Sequence, residues 1–259
     1  MSQEKVDLIF HKLRIFNAVM GLFHFIQGSL MLYLSNDFTL PVTSSYLSFD
    51  LNTKAITTAH KIIAEWRIGP LVAAFLFISA LAHFLLSTVL YSWYVKNLKR
   101  NINSARWIEY AFSSSLMIVV IGMLVGMYDL SSLILIFSLN GMMNLFGLMM
   151  ELHNQKTEKT NWTSFIFGCI AGIVPWITIY LYFSGAVASV GDVIPKFVYG
   201  ILISIFVFFN IFAINMLLQY KKVGKWKNYL FGEMMYIVLS LVAKSALAWQ
   251  IFSGTLRPQ

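Results

Sequence analysis

One lysine stands in the middle of a long apolar stretch: Lys244, between Ala243 and Ser245 within Leu239 to Trp249. A charged lysine at the centre of a membrane-spanning helix costs on the order of 3 kcal/mol on insertion scales. Lys244 lies too far from either end of its stretch for the stem to carry an ammonium to the headgroups. So costly a residue persists where its chemistry is used. Desolvation favours a neutral amine, and a neutral amine condenses with an aldehyde to give a Schiff base. Once protonated, that Schiff base is a cation in a low-dielectric place and requires a carboxylate within reach.

Asp129 and Glu151 fall at the far ends of their apolar runs, which leaves Glu109 and Glu233 to serve. Glu233 precedes Lys244 by eleven residues on the same run, about 16 Å along a helix axis and too far for direct pairing. Glu109 belongs to another run and can approach, so it is the expected counterion. Arg106 stands three residues before it, on the same helix face one turn away, and an interfacial pair with Arg106 is the alternative role for Glu109. To reach the depth of Lys244, the helix bearing Glu109 must begin before Trp107, and Asn101 to Ala105 contains no proline or glycine to prevent it. Retinal is the aldehyde a membrane supplies, so the expected cofactor is all-trans retinal held covalently on Lys244.

Two histidines, His24 and His83, fall at similar depth in the first and second runs. With Ser79, Ser113, Asn140 and Ser240 they can line a polar cavity on the cytoplasmic side of Lys244, where a histidine can take a proton near neutral pH. A hydrogen-bonded packing role is the alternative for either ring alone. Among the aromatics, Trp176 beside Pro175, Phe208, Phe209 and Trp249 are able to sandwich a polyene, although such residues also serve as helix packing and interfacial anchors.

These residues must be positioned by helices. The chain has 259 residues, 58% of them hydrophobic and 12% charged, outside the range of soluble domains. Seven apolar runs have the length that about 30 Å of hydrocarbon requires: Ile15 to Ser35, Pro70 to Tyr94, Trp107 to Tyr128, Leu130 to Met150, Trp162 to Gly185, Phe197 to Gln219 and Leu230 to Ser253. The expected fold is therefore all-α, one seven-helix membrane domain over residues 1–259. The one long connection, about residues 36–68, is too short for an independent core. Within it the spacing of Phe38 to Phe49 predicts a short β-hairpin, and Ala55 to Trp66 fits either a helix along the outer surface or an irregular loop. The single cysteine, Cys169, excludes a disulfide framework or cysteine metal site and reads as a packing residue. No cleavable signal peptide is expected, because the first run is long and leads into further spans.

With the N-terminus cytoplasmic, thirteen loop Lys and Arg fall inside, among them Lys5, Lys99, Arg106, Lys159 and Lys221 to Lys227, and five outside: Lys54, Lys61, Arg67, Lys196 and Arg257. The positive-inside rule favours that orientation, with the C-terminus outside and no cytoplasmic tail. The formal charge of +8 then records topology, and no nucleic-acid partner is expected.

Several stretches resemble one family, the heliorhodopsins. Leu241 to Gln250, reading LVAKSALAWQ, resembles their lysine-bearing seventh helix. Arg106-Trp107-Ile108-Glu109-Tyr110 with Ser113-Ser114-Ser115 resembles the third helix, and Gly168 to Trp176, GCIAGIVPW, the fifth. The likeness runs from the first helix to the C-terminus, and the family's inverted orientation agrees with the charge count. The resemblance implies a seven-helix rhodopsin bundle with Lys244 carrying retinal and Glu109 its counterion. It places His24, His83, Ser79, Asn140, Ser240 and Glu233 in a cytoplasmic-side polar network, and Gln27, Met117, Met143, Trp176 and Phe209 around the chromophore. It also implies a homodimer in lipid with a slow photocycle, a light sensor acting on a downstream protein that the sequence does not name, and no enzymatic activity. The alternative is a light-driven or light-gated ion transporter. A G-protein-coupled receptor is excluded by orientation and by the lack of Asp-Arg-Tyr and Asn-Pro-x-x-Tyr motifs, and a secondary transporter by the lack of an internal repeat.

Overall fold

The computed structural model describes residues 3–190 and 196–256, with side chains described over 8–189 and 198–256. The side chains of Lys5 and Lys196, and Arg257 altogether, lie outside the described residues, as does the C-terminus whose exposure the charge count predicts. In chain order the elements are α1 (Gln3–Leu34), β1 (Thr39–Asp50), β2 (Ala55–Arg67), α2 (Ile68–Ser87), α3 (Tyr91–Leu98), α4 (Ser104–Leu124), α5 (Leu130–His153), α6 (Thr163–Val190), α7 (Lys196–Tyr220) and α8 (Tyr229–Ile251). Seven of them, all the helices except α3, are long and apolar enough to cross a membrane.

Polar side chains at the chain reversals start several of these helices. Asn103 accepts from Arg106 N at 3.1 Å, Asp129 from Ser132 N at 3.0 Å and Asn228 from Leu230 N at 3.0 Å, each satisfying a backbone donor that the first helical turn leaves open. Capped at Asn103, α4 begins at Ser104, before Trp107, as the depth of Glu109 requires. It is the most buried span, and Met117 to Ile121 pack with Val72, Phe75 and Leu76 of α2 and Leu247 and Ala248 of α8. The surface is apolar instead: Leu22, Phe23, Leu135, Ile170 and Ile203 are exposed side chains of the kind that face lipid.

Three expectations are corrected. The stretch from Ala55 to Trp66 is neither a surface helix nor an irregular loop; it pairs antiparallel with β1, from Thr39 opposite Arg67 to Asp50 opposite Ala55. Its β-branched Ile56, Thr57, Thr58, Ile62 and Ile63 suit a pleated strand better than a helix. The hairpin is thus long, with Phe38 to Phe49 supplying one strand alone. Asp50 closes its turn, accepting from Asn52 N and Thr53 N, and these backbone donors hold its carboxyl below the usual carboxylate range. Thr43 N donates to Tyr128 O at 2.8 Å and Val42 is buried, which ties the hairpin to the helix ends.

The second expected run, Pro70 to Tyr94, is two helices. Ser87 and Thr88 turn their hydroxyls back on Phe84 O, at 3.0 and 2.6 Å, and compete with the backbone ladder where α2 stops. The third run stops at Leu124 instead of Tyr128, because the chain turns through Gly126 at φ +98°, a conformation glycine adopts freely. The loops joining α3 to α4, α5 to α6 and α7 to α8 gather at one end, here called the basic end, opposite the hairpin.

Candidate functional site

Lys244 of α8, Glu109 of α4 and Ser79 of α2 meet in the interior. Lys244 Nζ donates to Glu109 Oε1 at 2.7 Å and to Ser79 Oγ at 2.5 Å, and Ser79 Oγ donates to the same carboxylate oxygen at 2.6 Å. The lysine and glutamate side chains are 3% and 9% exposed, so water does not screen the pair. Helical side chains tilt towards the helix N-terminus. The Lys244 stem accordingly leans from mid-span towards the basic end, where Glu109 waits five residues inside α4. Ser113, one turn beyond Glu109, is fully buried, and its hydroxyl has no hydrogen-bond partner among the described residues. The Tyr110 ring centroid lies 5.1 Å from Nζ, a cation–π contact.

The histidines come together as well. Their rings stack at 5.6 Å with 9° between planes, and His83 Nδ1 shares a hydrogen with Asn17 Oδ1 at 2.8 Å. His24 is fully buried, and neither of its nitrogens has a partner among the described residues. A cavity of about 30 Å³ beside them is lined by Asn17, His83, Arg106, Glu109, Tyr110 and Ser240, room on the order of one or two waters. Asn140 does not join this group. It donates to Ser114 and Ser115 at 2.7 and 3.2 Å, because successive residues of α4 turn about 100° and these serines face α5.

Arg106 turns away from Glu109. Its guanidinium pairs with Glu151 at 2.5 Å and with Glu233, so a residue expected among the loop charges is buried inside the bundle. Asn103 donates to both carboxylates, from its backbone to Glu151 at 2.8 Å and from its side chain to Glu233 at 2.7 Å. Glu151 thus belongs to the interior, contrary to its setting aside as an end-of-helix residue. Sequence reasoning missed it, with Asn17 and Asn103. A signal existed for Glu151: with Asn140, Asn144 and Gly147 it recurs at i, i+4, i+7 and i+11, one face of α5.

On the far side of Tyr110 opens a cavity of about 320 Å³ lined by Met143, Gly168, Gly172, Trp176 and Phe209 as well as Tyr110 itself. Trp176 stands edge-on between Phe206 and Phe209, with centroids 5.1 and 5.3 Å away. A family model described as heliorhodopsin matches residues 13–256. The chain belongs to the heliorhodopsin family. Comparison with curated proteins gave no match. As a heliorhodopsin the chain is an integral, multi-pass membrane protein of a retinal-binding photoreceptor family. Its residues fit that group: the cavity is of the size ligand pockets have, apolar and aromatic, and Tyr110 joins it to the lysine nitrogen. Gly172 opens the wall, since a Cβ there would strike Met143. Of the other two positions expected around the chromophore, Met117 sits in the core and Gln27 accepts from Trp249 Nε1 at 3.1 Å; neither lines this cavity.

Proposed function

We propose that this heliorhodopsin is a light sensor in which Lys244 holds all-trans retinal as a protonated Schiff base and Glu109 is the counterion. The observation that carries the reading is the buried pair of Lys244 Nζ and Glu109 Oε1, the only ion pair among the described residues that involves a lysine. When bound, retinal supplies a polyene that absorbs visible light and changes shape. The protein's own groups do the rest. Met143, Trp176 and Phe209 wall the polyene and exclude water, Ser79 orients the Glu109 carboxylate, and Tyr110 lies against the nitrogen. His83 and the unpartnered His24, beside Asn17 and Ser240, accept the proton when light weakens the pair. That proton has acceptors close by, which favours a slow cycle and a signalling role in a homodimer.

The test is the absorption spectrum of the full chain purified with all-trans retinal. The wild type gains a visible band and Lys244→Ala stays colourless. A visible band retained in that variant would place the attachment elsewhere. We further propose that the basic end, and with it the N-terminus, is cytoplasmic: Lys99, Lys159 and Lys221 to Lys227 sit at that end, whereas the hairpin end carries Lys54, Lys61 and Arg67. A tag after Gln259 is then reachable in intact cells; labelling only after permeabilisation overturns the orientation.

A further inference from the structure

At the basic end, between α3, the α5–α6 loop and the start of α8, lies a cleft of about 610 Å³ separate from both cavities around Lys244. Lys99, Lys222 and Lys227 line it, with Glu158 as the only carboxylate on its wall. Among the described residues none of these three lysines is in an ion pair. The wall is held in shape: Asn154 accepts from Thr157 Oγ1 and Asn161 N and donates to Asn161 O, closing the α5–α6 loop on itself. Lys99 Nζ lies 5.6 Å from the ring centroid of Phe10, and the wall sets one carboxylate, Glu158, against three lysines. The formal balance on the wall is two positive charges.

We propose that this cleft is a binding site for a phosphate group. A phosphate monoester carries close to two negative charges at neutral pH and three acceptor oxygens, which matches the formal excess of two and the three lysines. Lysine serves as a mobile point charge for phosphate, with no need for the planar fork that arginine brings. A single carboxylate would leave one lysine unpaired. The floor of the cleft also reaches the interior. Tyr229 donates through its hydroxyl to Glu151 at 3.3 Å, and Gln219 donates to Glu233 at 3.5 Å. Tyr229 on the cleft floor thus lies two contacts from Arg106, which borders the cavity of Glu109. Either a soluble phosphate compound or the headgroup of an anionic lipid can supply the group.

The test requires neither light nor retinal. The full chain, in nanodiscs of phosphatidylcholine, is titrated calorimetrically with inorganic phosphate, with sodium chloride at matched ionic strength as control. Saturable heat with phosphate and none with chloride is expected. Lys99→Gln with Lys227→Gln weakens the apparent affinity at least tenfold, and Lys54→Gln, in the hairpin turn at the other end, leaves it unchanged. If the double variant does not fold, each single variant carries the test, with an expected loss of several-fold. A second set of discs contains phosphatidic acid. Blocking of the phosphate titration there assigns the site to a lipid headgroup, and its persistence assigns it to a soluble phosphate; both support the site. Phosphate behaving as chloride does in neutral discs, or binding undiminished in the lysine variants, overturns it.

Discussion

An amine, a carboxylate and a hydroxyl lie within 2.7 Å of one another at Lys244, Glu109 and Ser79, buried among apolar helices. Two unit charges 4 Å apart attract by about 4 kcal/mol at an effective dielectric constant of 20, far more than the same pair in water. The positive charge of a protonated Schiff base at this nitrogen would therefore be held near Glu109 in the dark. Excitation would move that charge away, so removing the carboxylate would narrow the energy gap or let the proton leave. In protein loaded with retinal, Glu109→Gln is expected to shift the visible band to the red or to lose it at neutral pH. Glu233→Gln should shift it little, because Glu233 is engaged with Arg106. An unchanged spectrum and pH titration in Glu109→Gln rules Glu109 out as counterion. Both members of the pair were legible in the sequence, since a charge inside an apolar run is too costly to stand there without a partner or a task. Glu151 was not, because a carboxylate at the end of a run usually meets water. Here α5 continues to His153, and Arg106, Asn103 and Tyr229 close over the carboxylate. Asn17 was hidden for a different reason: an amide on an apolar helix declares no partner until the facing helix brings His83.

At the scale of elements, what repeats along one segment was readable and what depends on a distant segment was not. Each of the seven spans declares itself by an uninterrupted apolar length. The hairpin is the opposite case. Ala55 to Trp66 alternates too loosely to choose its period alone, and it becomes a strand because β1 offers twelve residues to pair with and Thr43 is anchored on Tyr128. The break between α2 and α3 is equally unmarked by proline or glycine, and it rests on two hydroxyls that prefer Phe84 O to solvent. The early start of α4 follows from Asn103, whose side chain both caps the helix and holds Glu233. That double use joins an ordinary helix start to the polar interior.

Across the whole molecule the carboxylates and histidines inside the bundle are distributed unevenly about Lys244, whereas Asp37, Asp50, His60, Glu65 and Asp129 stand at the hairpin end. His24, His83, Glu109, Arg106, Glu151 and Glu233 are all reached from the basic side of the lysine nitrogen. Towards the hairpin, α4 presents Met117, Ile118, Val120, Ile121 and Met123, all nearly inaccessible and packed against Leu247 and Ile251 of α8. Val120 stands eleven residues after Glu109, about three turns on, where an outward relay would need a carboxyl. Polar contacts in that half such as Trp249 to Gln27 and Gln250 to Ser204 involve groups that do not titrate near neutral pH. A proton leaving a Schiff base at Lys244 would thus meet titratable groups inside the bundle on one side alone and would return by the way it came. Net pumping needs a relay through both halves, so illumination should drive none. Cells expressing the retinal-loaded protein are illuminated in weakly buffered medium while external pH is recorded, with a protonophore added in a parallel run. The expected trace is flat in both. A light-induced pH change of the size a known pump gives, abolished by the protonophore, would reject the sensor reading and establish transport in its place.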